Sequence, residues 1–242
     1  MNLIIDVGNS RAKFAVFEKN ALLFDSTVAI EKVALHIKDL FNRFPRINNA
    51  IVSSVGSLGE KDFAVLSVFC QVHVLSHSSK FPFKNSYATP QTLGVDRIAL
   101  ATAAFYENPN ANTLVLDAGT CLTYDMINDY GEYLGGAISP GLNMRYRALS
   151  EQTSKLPLLE PEELLDFIGN STETSIHSGV LNGISLEIDG VIDQYRSRFS
   201  DLTVILTGGD SQILSKRLKN TIFAHSKFLL LGLNYLLEYN KK

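Results

Sequence analysis

Apolar and polar positions alternate along the chain with two periods, and the switches between them mark its elements. Residues 2–6 (NLIID) predict a buried strand that ends in Asp6. Residues 11–18 (RAKFAVFE) and 21–28 (ALLFDSTV) predict two more strands, joined by Lys19 and Asn20. From 30 to 44 the spacing turns helical, with Ile30, Ala34, Ile37, Phe41 and Phe44 on one side. A strand at 49–53, a helix near 60–69 and a strand at 71–75 follow. The Ser- and Pro-rich segment 76–94 reads as loop, and a helix over 97–107 closes this half.

A second series starts at 113–127 (TLVLDAGTCLTYDMI), again strand, turn, strand. A third strand near 132–138 and a helix at 142–150 come next, then a surface loop at 152–161 with two prolines. Ile176, Val180, Ile184, Ile188, Val191 and Tyr195 mark the apolar face of a long helix over 173–198. Strand 202–206, a Gly-Gly turn, a short helix, a strand at 221–224 and a helix at 227–239 complete the pattern. LIIDVGN at 3–9 thus has an echo in LVLDAGT at 114–120. Each opens a three-strand meander followed by αβα elements. The pattern predicts an α/β fold of two duplicated βββαβα halves, 1–111 and 112–242, facing each other across a cleft that suits a ligand.

The 242 residues are 45% hydrophobic, ample for a large core, and carry a net charge of -3. No basic excess marks a nucleic-acid surface. Cys70 and Cys121 stand far apart with no metal-ligand spacing, which suits a reduced, cytoplasmic protein. Asp6 interrupts the first apolar run, unlike a signal peptide, and the run at 228–237 is too short to span a bilayer.

The chemistry concentrates in the turns. In the first, Gly8 permits close backbone approach to a ligand, and successive N–H groups can form an anion-binding concavity. Asn9, Ser10 and Lys13 add donors and positive charge, and Asp6 can hold magnesium beside phosphates. A single such turn is also an ordinary hairpin. The repeat at Asp117, Ala118, Gly119 and Thr120 makes a two-sided grip on a polyphosphate, with Thr120 as a phosphate donor. Asp125 is either structural or a support of the cation site. A third turn, TGGD at 207–210, offers a flat glycine surface for adenine or ribose, or a tight turn with Asp210 as N-cap. Other nucleotide motifs are absent: there is no G-x-x-x-x-G-K-[ST] and no G-x-G-x-x-G after a strand.

Asp96 and Arg97 open an apolar helix. Asp96 reads equally as its N-cap or as a general base for a substrate hydroxyl, and Arg97 as a clamp for a carboxylate or phosphate. Thr172 and Thr174 are N-cap candidates before the long helix, on which Gly179 and Gly183 permit close helix contact. The five histidines form no ligand spacing.

Six segments in this order resemble the type III pantothenate kinases, within the acetate and sugar kinase, Hsp70 and actin superfamily. They are DVGNSRAK at 6–13, YATPQTLGVDR at 87–97, DAGTCLTYD at 117–125, GGAISPGL at 135–142, STETSIHSG at 171–179 and TGGD at 207–210. The resemblance implies ribonuclease-H-like (actin-like) halves. It also implies ATP-dependent phosphorylation of pantothenate's primary hydroxyl, giving 4'-phosphopantothenate, the first step toward coenzyme A. ATP-binding positions would be Asp6, Val7, Gly8, Asn9, Ser10, Arg11, Ala12, Lys13 and Thr120. Asp96 would be the proton acceptor, and Tyr87, Gly94, Val95, Asp96, Arg97 and Thr172 would bind pantothenate. Asp117 would hold a monovalent cation, K+ or NH4+, alongside Mg2+. The resemblance further implies a homodimer with the active site near the subunit interface and Thr172 reaching from the partner's long helix.

Two positions depart from the family. Ser10 stands where Thr is common, keeping the hydroxyl, and Ala15 stands where Gly is common, which predicts a slight shift of the second strand. A non-catalytic nucleotide-binding regulator on the same fold is the alternative, but it has no use for Asp96 and Arg97. A nuclease fits poorly with the acidic balance and the Gly-Asn-Ser and Gly-Thr turns.

Overall fold

A computed structural model describes residues 1–8, 11–54, 66–163 and 166–241. The chain divides into two compact units, Met1–Pro109 with Lys227–Lys242, and Asn110–Ser226. The first boundary falls beside the expected one at 111/112. The closing helix, expected in the second half, belongs to the first unit.

The first unit holds β1 (Asn2–Val7), β2 (Arg11–Glu18), β3 (Ala21–Ala29), α1 (Val33–Arg43), β4 (Asn49–Ser54), β5 (Gln71–Val74), the two-residue β6 (Lys84–Asn85), α2 (Val95–Glu107) and, from the far end of the chain, α7 (Phe228–Asn240). Its sheet runs β3-β2-β1-β4-β5. The meander β1 to β3 is antiparallel, and β4 and β5 join parallel to β1. The helix expected near 60–69 lies largely outside the described residues. The β1–β2 ladder pairs Asn2 to Val7 without interruption, Ala15 opposite Ile4. A register irregularity falls between Val16 and Phe17 against β3.

Every residue of β1 is buried. Leu3, Ile5 and Val7 pack into a core with Phe14, Val16, Ile37, Leu40 and Val52. On the opposite face, which carries Asn2, Ile4 and Asp6, α7 packs against the strand. Asn2 Nδ2 donates to Asn234 Oδ1 and Glu238 Oε1 on that helix, both at 2.7 Å. A strand covered on both faces has no alternation to show, so its sequence is continuously apolar until the strand end.

The second unit repeats the plan with β7 (Thr113–Ala118), β8 (Cys121–Ile127), β9 (Glu132–Pro140), α3 (Leu142–Glu151), α4 (Thr172–His177), α5 (Gly183–Arg196), β10 (Thr203–Thr207), α6 (Ser211–Ser215) and β11 (Phe223–Ala224). Its strands lie in the order β9-β8-β7-β10-β11, the same connectivity as β3-β2-β1-β4-β5. β8 and β9 are antiparallel to their neighbours, while β10 and β11 run parallel to β7. The predicted long helix is continuous in path but widens to a π-helical turn at Ser178–Asn182 between α4 and α5. Among the described residues no helix is long and apolar enough to cross a membrane.

Candidate active site

In the first unit the site begins at the carboxyl end of β1. Register places Asp6 directly between Lys13 on β2 and Ser53 on β4. Lys13 Nζ stands 3.8 Å from Asp6 Oδ2, with its own side chain about half exposed. Burial pushes the Asp6 carboxyl above its ordinary value. Lys13 pulls it back, nearby Asp96 raises it again, and the adjacent Ser53 hydroxyl lowers it. The turn after β1 is closed by the Gly8 N–H donating to the Arg11 carbonyl at 3.0 Å. Val7 and Ala12, both implied in ATP binding, point into the core, so only their backbone is available to a ligand. The Arg11 side chain is exposed. Asn9 and Ser10 lie outside the described residues.

Asp96 comes to the same place from the other direction. The N-cap of α2 is Gly94, and Asp96 lies in the first turn, which corrects its reading as the cap. Its Oδ1 accepts the Arg97 N–H at 2.8 Å, folding the carboxylate over the helix N-terminus where the dipole favours negative charge. Val95 and Gly94 are half-buried beside it. Arg97 is buried, and its guanidinium carbon lies 5.8 Å from the centre of the Tyr87 ring. Asp6, Lys13, Asp96, Arg97 and Tyr87 therefore belong to one compact unit, with two carboxylates close enough to influence each other.

The second unit offers a related but shorter turn. The Gly119 N–H donates to the Cys121 carbonyl at 3.0 Å, closing two residues where the first turn spans three. Asp117, next to last in β7, is half-buried, and Thr120 is exposed at the tip. The TGGD turn packs against this one: Gly208 has φ +95°, and a Cβ there would meet Ala118 O and Asp117 Oδ1, both at 2.4 Å. The Asp210 N–H donates to Ala118 O at 3.0 Å. Asp210 occupies the N-cap position of α6 without a side-chain cap bond, and burial raises its carboxyl above the ordinary value. Asp125 is 1% exposed and accepts Tyr133 Oη at 2.8 Å and Thr123 Oγ1 at 3.1 Å. Thr123 in turn sits opposite Asp117 in the ladder.

Before the long helix, neither predicted threonine is the N-cap. Ser171 is, and Thr174 completes a capping box with it. Thr172 stays exposed beside an open depression of about 810 Å³ whose walls include Leu149, Leu156, Asn170 and Ile176.

Among the described residues no three His, Cys, Asp or Glu side chains cluster to hold a metal by themselves. The donor set at Asp6 still fits magnesium, which takes one or two carboxylates and completes its shell with water and substrate phosphates. A buried carboxylate and an adjacent hydroxyl supply hard oxygen donors of that kind. Ser53 was invisible to motif reading and emerges only from strand register.

Comparison with known proteins speaks to the fold and the family. The crystal structure of a conserved Campylobacter jejuni protein assigned to the Baf transcriptional-activator family superposes with a TM-score of 0.63 at 25% identity, covering 98% of each chain. The structure of a Listeria monocytogenes protein described as an N-acetylmannosamine kinase superposes at 0.57 with 13% identity, over 100% of this chain and 99% of that one, which speaks to the fold alone. The fold is the two-domain ribonuclease-H-like arrangement. A type III pantothenate kinase of Flavobacterium johnsoniae is 48% identical over 239 residues, 99% of this chain and 98% of that one. The family model for type III pantothenate kinase matches residues 2–194, which takes in the turns at Asp6 and Asp117, Asp96 and the Ser171 cap. With both turns and the carboxylate between them inside the matched span, the chain belongs to the type III pantothenate kinase family.

Proposed function

We propose that this chain transfers the γ-phosphoryl group of ATP to the primary hydroxyl of pantothenate, forming 4'-phosphopantothenate and ADP in the cytoplasm as the first step toward coenzyme A. The observation that carries the assignment is the placement of Asp96. Its carboxylate sits at a helix N-terminus, close enough to influence Asp6 at the strand end.

The Gly8 turn and Lys13 hold the transferred phosphoryl group, and Arg97 with Tyr87 clamps the acceptor's carboxylate end. Asp96 orients the hydroxyl and takes its proton as the oxygen–phosphorus bond forms, while the bond to the bridging oxygen breaks and ADP leaves. Asp6 would hold Mg2+ and Asp117 would hold K+ or NH4+, which would supply neutralisation of charge on the phosphates. Thr120 contacts ATP. Thr172, whose neighbour Thr174 is engaged in the cap, contacts pantothenate across a homodimer.

The test is ADP release measured with ATP, magnesium and pantothenate, with and without potassium. Pantothenate-dependent ADP is expected, and its absence would remove the assignment. Asp96→Asn is expected to bind both substrates and lose about 10²–10⁴-fold in turnover. Near-wild-type rates would take Asp96 out of the mechanism.

A further inference from the structure

Among the described residues, two buried side-chain atoms have no hydrogen-bond partner: Ser53 Oγ and Arg217 Nε. Arg217 has other attachments, since its NH2 group donates to Asn182 Oδ1 at 2.8 Å. Ser53 has one polar side-chain atom only, and the residue is 0% exposed. A buried hydroxyl without a partner destabilises a fold, and alanine would occupy the same space without that cost. Such a group calls for an explanation outside stability.

Its position supplies one. Ser53 is the ladder partner of Asp6, and Asp6 of Lys13, so the three side chains stand in one row across the carboxyl ends of β1 and β4. Lys13 approaches Asp6 from one side. On the other side stands the Ser53 hydroxyl, whose hydrogen is committed nowhere else. The neighbouring positions Val7 and Val52 face the opposite side and belong to the core. The row therefore ends in a donor beside the carboxylate that the proposed reaction assigns to the metal.

We propose that Ser53 is a positioning residue: its hydroxyl donates to the Asp6 carboxylate when a metal–nucleotide complex is bound, and holds that carboxylate in the orientation that receives the metal. This rests on the phosphoryl-transfer reading of the same site. In the free protein the hydroxyl stands near enough to favour the charged carboxylate but outside hydrogen-bond geometry; closing that contact in the loaded protein puts most of its energy into binding.

The full-length wild type, Ser53→Ala and Ser53→Thr are compared in two measurements without turnover. One is thermal melting of the free protein. The other is Mn2+ titration in the presence of ADP, followed by electron paramagnetic resonance. Ser53→Ala is expected to melt at or above the wild type while its affinity for Mn2+ with ADP falls about tenfold, the size of one hydrogen bond to a charged group. Ser53→Thr restores the affinity. In steady-state assays the alanine variant raises KM for ATP and leaves KM for pantothenate unchanged. Unchanged Mn2+ affinity in Ser53→Ala overturns the proposal. So does a melting temperature well below wild type, which would make the hydroxyl a structural partner. A wild type that binds Mn2+ and ADP but forms no pantothenate-dependent ADP would instead overturn the kinase assignment and leave the Ser53 comparison readable.

Discussion

Gly94→Ala separates the placement of the Asp96 carboxylate from its chemistry. Gly94 has φ -55° and ψ 135°, a conformation that alanine adopts without strain. The obstacle is local: a Cβ on Gly94 would lie 2.4 Å from Asp96 Oδ1. Ordinary contact begins near 3.4 Å, so the carboxylate must retreat by about 1 Å. That retreat loosens the 2.8 Å bond from the Arg97 N–H. Weakening this bond and replacing glycine at an N-cap together cost about 1–2 kcal/mol, leaving the protein folded. A displacement of about 1 Å at the proposed proton acceptor is enough to cost about 10²-fold in rate. Gly94→Ala should therefore show kcat reduced by about 10–100-fold, KM for ATP unchanged, and only a modest fall in urea midpoint. Gly190→Ala is the matched control, because a Cβ there meets nothing within 4 Å. It should keep wild-type kcat and gain slightly in stability from the better helix former. If Gly94→Ala turns over at the wild-type rate, the orientation of Asp96 over the helix N-terminus has no part in the reaction.

Asp6→Asn tests the electrostatics of the strand end. Burial raises the folded-state pKa of Asp6, so the native chain binds this proton more tightly than the unfolded chain. Wild-type stability contributed by this group is fully present below the unfolded value near 3.8 and is lost as pH rises through the folded value. The asparagine variant should melt higher than wild type at pH 7, with the gap closing at acid pH, while losing metal–nucleotide affinity. A gap that widens on acidification would refute the sign. Gly232→Ala tests helix packing within the first unit. Its Cβ would fall 1.9 Å from the Ala99 carbonyl oxygen on α2, a backbone atom that cannot rotate away. The helices must separate, for a net loss of about 2 kcal/mol in urea unfolding after alanine's helix preference is counted. An unchanged midpoint would mean that the two helices are less closely packed.

Much of this was legible in the chain. Asp6 and Asp117 stood out because buried parallel strands read as unbroken apolar runs, so a carboxylate at the end interrupts the pattern. The duplicated order of elements then followed from two matching runs. What escaped has specific causes. Helical periodicity identifies the apolar face of α7 but not the sheet it packs on, so its membership of the first unit is not legible in the sequence. The Ser171 cap is not distinguishable in the sequence from Thr172 and Thr174, because all three are cap formers and only geometry shows which side chain meets the N3 amide. The π-helical turn at Ser178–Asn182 leaves the apolar spacing almost unchanged. Ser53 carries no motif, and its significance depends on which residue lies beside it across the sheet.

The return of α7 to the first unit also sets an order of events during synthesis. When the first 109 residues have emerged, β1 has its neighbours in the sheet, but it still lacks the helix that packs against it and supplies partners to Asn2. All of the second unit must be made before residues 228–240 arrive to supply Asn234 and Glu238 to Asn2. The second unit, continuous in sequence, is free to mature first. The unit that holds Asp6 and Asp96 is thus completed last, and its completion reports that the intervening chain has been translated.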